Sequence, residues 1–187
     1  MATDASPVSV IYRIDAEDRI TYVNSAWLEF ARDNHGDAVM PELVLGRDLL
    51  AAVANTTVRQ LYERIIQRVR GGRSVRFRYR CDAPDRRRFF MMDVSLASGG
   101  EVEFSSTLTR EEKRAPVALL EPGRLRGGGS LRICSLCQRV AMPDRRWLQV
   151  EEAVDVLHLL EAEHLPAISH AICEQCYSVM IKATEPK

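Results

Sequence analysis

The chain has 187 residues, enough for one domain of ordinary size plus a small one. With 46% hydrophobic and 28% charged residues it has the composition of a globular protein, and its formal net charge of zero excludes binding of nucleic acid by bulk electrostatics. No stretch approaches the roughly 20 apolar residues that span a bilayer, and Met1–Pro7 lacks the positive start and apolar core of a signal peptide. A cytoplasmic location is therefore expected, with reduced thiols and no membrane partner. The basic residues are almost all Arg, the only lysines being Lys113, Lys182 and Lys187; a codon bias explains this more simply than a function.

In chain order, Val8 to Ile14 and Ile20 to Val23 read as two strands around the turn Asp15-Ala16-Glu17-Asp18, a hairpin. Asn24 is a good N-cap for a helix burying Trp27, Phe30 and Ala31 and ending at Asn34-His35-Gly36. Met40 to Leu50 suggests short helical turns around Gly46. Val58 to Val69 is a helix, with Leu61, Ile65 and Val69 on one face and Gly71-Gly72 as its stop. Three alternating runs follow. Val75, Phe77, Tyr79 and Cys81 alternate with Arg76, Arg78 and Arg80; Phe90, Met92, Val94 and Leu96 with Met91, Asp93 and Ser95; Val102, Phe104 and Leu108 with Glu101, Glu103, Ser105 and Thr107. Period two over runs joined by short turns predicts an antiparallel meander with one face buried. Five strands with helices over one face make an α+β domain over residues 1–114. Residues 115–130, with Pro116, Pro122 and Gly127-Gly128-Gly129-Ser130, read as a linker that is flexible at its glycine end. Residues 131–187 read as a small metal-bound domain.

The metal reading rests on Cys134-Ser-Leu-Cys137 and Cys173-Glu-Gln-Cys176, two C-x-x-C pairs with 35 residues between them. Two residues between thiolates let the backbone curl so that both sulfurs face one point, and two curls complete a tetrahedron. The long spacing is explained by an intervening helix with Val150, Ala153, Val154, Leu157 and Leu160 on one face, closed by Pro166. Four thiolates leave no open coordination position, so a structural Zn2+ is expected; iron in the same four-sulfur geometry, and redox disulfides, are the alternatives. His170, three residues before Cys173, is a candidate to donate an N–H to a thiolate or to replace a ligand. His158 and His164 fall away from the apolar stripe of the expected helix and read as solvated. The fifth cysteine, Cys81, lies on the inward face of its strand and is expected to be a buried, inert thiol.

Residues 1 to about 110 resemble a PAS domain. The resemblance is carried by Tyr12-Arg13-Ile14-Asp15, by Arg19-Ile20-Thr21-Tyr22-Val23-Asn24-Ser25-Ala26-Trp27, by Leu45-Gly46-Arg47 and by the meander. It implies a five-stranded sheet in the order 2-1-5-4-3. The stretch Arg78 to Pro84, with Arg86-Arg87-Arg88, looks like an uncharacterised bacterial subgroup of that family. The C-terminal part is similar to a small cysteine-rich tail of some bacterial PAS and response-regulator proteins, through Trp147 and Ser169 to Cys176, with Ala171-Ile172-Cys173-Glu174 departing from the commoner pattern.

PAS domains are sensors, so the resemblance implies a pocket between the inner sheet face and the helices. Phe77, Tyr79, Met92, Val94 and Phe104 are its candidate lining, unless they simply fill a core; the ligand is unknown. The flavin-binding helix motif is missing, and Val58 to Val69 holds no histidine for haem. Arg76, Arg78 and Arg80 project from the outer face, either solvated and balanced by Glu101 and Glu103 or forming a docking surface for an acidic partner or nucleic acid. The leading expectation is a cytoplasmic signalling protein, a homodimeric sensor or adaptor whose zinc module docks on an unidentified signalling partner, with no enzymatic activity. The alternative is a nucleic-acid-associated regulator that uses the zinc module and the arginine-rich face, against which stands the absence of a recognition helix. Catalysis has little to build on, since Asp82, Asp85 and Asp93 are of a type common in turns.

Overall fold

Described here are residues 8–34, 36–159 and 164–185 of a computed structural model. The first half follows the alternation of its apolar residues. Strands β1 (Ser9–Ile14), β2 (Ile20–Val23), β3 (Val75–Arg80), β4 (Arg86–Leu96) and β5 (Val102–Lys113) form one antiparallel sheet in the order β2-β1-β5-β4-β3. This is the expected strand order. Between β2 and β3 run α1 (Ser25–Asp33), a 3-10 turn at Asp37–Val39, α2 (Pro41–Val44) and α3 (Thr56–Arg70).

Both long helices start where an Asn can cap them. Asn24 Oδ1 accepts the amide of Trp27 at 3.0 Å and that of Ile11 at 3.0 Å, so the same side chain caps α1 and fastens it to β1. Asn55 Oδ1 accepts from Val58 N at 3.1 Å to open α3. Gly46, at φ +77, takes the left-handed turn that returns the chain to the sheet: its amide donates to Ile20 O at 2.7 Å. Leu61, Ile65, Ile66 and Val69 of α3 are buried with Tyr12, Ile14, Phe77, Met92, Val94, Val102 and Phe104 of the sheet.

The second half holds more sheet than the sequence suggested. Beyond the expected intervening helix, a four-stranded sheet in the order β8-β7-β6-β9 is built from β6 (Arg126–Cys134), β7 (Val140–Ala141), β8 (Trp147–Leu148) and β9 (Leu165–Ala171). β6 and β9 are parallel, which requires a crossover, and α4 (Val150–Val156) lies within it. A final helix, α5 (Glu174–Thr184), starts inside the second cysteine pair. The run Gly127 to Ser130 is not a free linker: it lies in β6, where the pairing with β9 shifts between Arg126 and Ser130, and Gly129 at φ +135 takes a backbone that a side chain would disfavour. The expected helix is shorter too. α4 ends at Val156, with Leu157 as its C-cap and His158 at φ +51 just beyond, so His158 and His164 lie outside it; Leu160 falls outside the described residues, as does His35.

The two halves share a core. Met180 of α5 is buried in the cluster formed by the first sheet and α3, and Leu136, Ile172 and Ile181 pack against it. A second cluster, with Ile133, Val140, Val150 and Val154, also takes in Val117 and Leu119 from the connecting segment.

Candidate metal centre

The first cysteine pair grows from the end of β6. Gln138 N donates to Cys134 O at 3.0 Å and Cys134 N to Arg139 O at 2.8 Å, and Gln138 turns through φ +59, so the chain folds back on itself within five residues. The second pair is shaped by the start of α5: Cys173 is its N-cap, and its Sγ accepts from Cys176 N at 3.4 Å. The parallel pairing of Cys134 with Ala171, together with Ser135 N donating to Ala171 O at 2.8 Å, brings the two curls together. The four sulfurs of Cys134, Cys137, Cys173 and Cys176 all lie within 4.8 Å of one another, and Cys137 Sγ and Cys173 Sγ are 3.8 Å apart. Tetrahedral zinc–sulfur bonds of about 2.3 Å separate their sulfurs by about 3.8 Å. The cluster could therefore hold a metal ion, and none of the four is in a disulfide.

Electrostatics points the same way. S–H donation from Cys137, then Cys176, together with backbone amides, pushes the Cys134 thiol far below its ordinary value. Once Cys134 is a thiolate, its hydrogen bond raises Cys137 to about 12, and Cys134 and Cys137 together push Cys176 far up. Cys134, Cys137 and Cys176 thus share one negative charge readily and resist a second, a repulsion that a bound cation would relieve. Amides already serve the sulfurs: Cys173 N donates to Cys134 Sγ at 3.4 Å. His170, considered as an N–H donor to a thiolate or as a ligand, stands exposed on β9, outside the cysteine cluster, and its carbonyl accepts from Asn55 Nδ2 at 3.0 Å.

The other nominated residues divide. Phe77, Met92, Val94 and Phe104 are buried and Tyr79 is half-buried, all within one packed cluster where Phe104 stacks on Tyr12 at 4.6 Å and Tyr79 on Phe90 at 5.3 Å. The Tyr79 hydroxyl is satisfied by Ser106 Oγ, and burial pushes its pKa up. Cys81 is half-buried, and desolvation raises its thiol despite the nearby Arg88 guanidinium. Arg76 and Arg78 are exposed, as expected of an outer face, but Arg80 is not. Nor do Glu101 and Glu103 balance these arginines: Arg76 pairs with Asp93, while Glu103 lies 2.7 Å from Arg13 and Glu101 accepts from Thr21.

Arg80 is buried because the second half covers it. Its guanidinium pairs with Asp82 and donates to Gln149 Oε1 at 2.7 Å, its backbone N donates to Leu136 O at 2.8 Å, and it lies 5.4 Å from the Phe89 ring centroid. Asp82, whose side chain is 0% exposed, also receives Arg114 at 3.2 Å. Arg114 continues to Glu151 Oε1 at 2.7 Å, which Arg87 also reaches at 2.9 Å. Asp82, Arg114, Gln149 and Glu151 were not singled out by the sequence, where Asp82 reads as an ordinary turn residue. The alternation did hold one clue: Arg88 is two residues before Phe90 and so faces inward with it.

Compared with models of known protein families and with the curated proteins, the chain matches none. No described helix is long and apolar enough to cross a membrane.

Proposed function

We propose that the chain is a cytoplasmic signalling protein, a sensor or adaptor without catalytic output, in which a PAS-like domain is joined to a structural zinc module that docks on a partner protein. The β2-β1-β5-β4-β3 order with α1 to α3 inserted between β2 and β3 supports the PAS-like reading. Zinc suits four clustered sulfur donors, and Cys134, Cys137, Cys173 and Cys176 would hold it. It would supply the positive charge the thiolates need and tie the end of β6 to the start of α5; with every position filled by thiolate, it would activate no water.

The observation that carries this reading is the joint between the halves. Met180 in the first core and the Arg80–Asp82–Arg114–Glu151 chain mean that neither half can shift without disturbing the other, as a sensor coupled to an output surface requires. Metal analysis of full-length protein purified without added metal tests the zinc module: about one equivalent of zinc is expected, and less than half an equivalent with iron colour overturns it. The homodimer belongs to the same proposal, and light scattering should give twice the chain mass; a monomer at tens of micromolar removes it. For the nucleic-acid reading, the burial of Arg80 leaves two of the three nominated arginines exposed, one of them paired with Asp93.

A further inference from the structure

An open cleft of about 820 Å³ lies at one end of the inner sheet face, away from the five residues first considered as a pocket lining. Val10, Phe30, Phe90, Leu108 and Leu120 give it apolar walls. Arg88, 9% exposed, also lines it. The guanidinium is positioned from three sides: Nε donates to Cys81 O at 2.7 Å, Nη2 donates to Asn34 Oδ1 at 2.7 Å, and the Phe30 ring centroid is 5.0 Å away. All these partners are neutral. No carboxylate among the described residues lies within ion-pair distance of Arg88, whereas Arg80 and Arg114, its buried neighbours, share Asp82. A buried cation without a counter-ion is costly, and a fork held by neutral acceptors beside an open cleft is ready for one.

The rim adds selectivity. Glu29, Asp33, Asp82, Asp85 and Glu111 line the cleft; Asp82 is paired with Arg80 and Arg114, and Arg86 neutralises Asp85 and Glu111 at 3.0 and 3.5 Å, which leaves Glu29 and Asp33 as the acidic rim. A multiply charged anion would meet repulsion there, while a single carboxylate on an apolar body would reach Arg88 with least cost. We propose that the cleft between α1 and the β3–β4 turn binds a small monocarboxylate with an aromatic or aliphatic body, anchored by the Arg88 guanidinium.

The same turn carries the signal onward. Arg88 N donates to Asp82 Oδ1 at 3.3 Å, and Arg114 donates to Ala83 O at 2.7 Å and to Pro84 O at 3.1 Å while pairing with Glu151 at the start of α4. Occupancy of the cleft therefore bears directly on the seam to the second half. This relay rests on the sensor reading above; the binding site does not.

The test is calorimetric titration of the full chain with phenylacetate, with phenethylamine and inorganic phosphate as comparisons. Phenylacetate should bind, the other two should not, and Arg88→Gln should weaken binding about tenfold or more. Leu108→Trp, at the half-open mouth, provides an independent check should Arg88→Gln fail to fold: it should block binding and leave the unfolding midpoint in place. No heat from phenylacetate at about 10 mM, or tighter binding of phenethylamine or phosphate, overturns the ligand assignment. Hydrogen exchange at α4 separates the two claims: binding with altered exchange supports the relay, and binding with unchanged exchange overturns the relay while the site stands.

Discussion

Asp82 shows how much a single side chain can carry. Its carboxylate is fully shielded and receives guanidinium groups from β3 and from the segment after β5. Removing one partner of such a group strands the others in low dielectric, which typically costs about 3–5 kcal/mol. Asp82→Asn should therefore lower the urea-unfolding free energy by several times more than Asp93→Asn, which removes only the exposed pair with Arg76. Glu151 gives the network a pH dependence. Burial alone would raise its pKa, but its own backbone amide, Arg114 and Arg87 outweigh this and hold it below the ordinary carboxylate value. A depressed folded pKa means the contribution is fully present above the unfolded value and lost as pH falls through the folded one. Wild type should thus be more stable than Glu151→Gln at neutral pH, with the gap closing under acid, as equilibrium unfolding across that range would show.

Among elements, α3 and β9 are joined by one residue. Asn55 caps α3 through Oδ1 and donates through Nδ2 to His170 O, three residues before Cys173. Asn55→Ala loses both bonds and should cost about 1–2 kcal/mol for the cap alone. Asn55→Asp keeps the cap and loses the donor, so it should cost less in thermal unfolding yet still speed amide exchange in β9. α3 itself was legible from Leu61, Ile65 and Val69, because a long amphipathic helix announces its period. The strands β7 and β8, two residues each, carry no period to read. β6 was obscured by its glycines, which signal flexibility locally but here allow an irregular parallel pairing.

At the scale of the whole molecule, the cysteine cluster and the first sheet are not separate bodies. α5 begins at the cluster and ends with Met180, Ile181 and Ala183 against the first core. Treatment with a strong chelator, which would remove an ion held by the cluster, or Cys176→Ser, should therefore destabilise the entire chain. Differential scanning calorimetry should show one transition shifted down; two transitions, with the upper one unmoved, would mean independent halves.

The sequence by itself determined the first sheet, its helices and the meeting of the four cysteines, because alternation, helical period and C-x-x-C spacing are local or strictly periodic signals. The tertiary structure alone decided the fate of the charges. Arg80 and Arg78 are identical in local pattern, yet one is buried and the other exposed, since only the packing of residues 136 and 149 over β3 distinguishes them. Burial is a property of what arrives from far along the chain, and no run of neighbouring residues encodes that arrival.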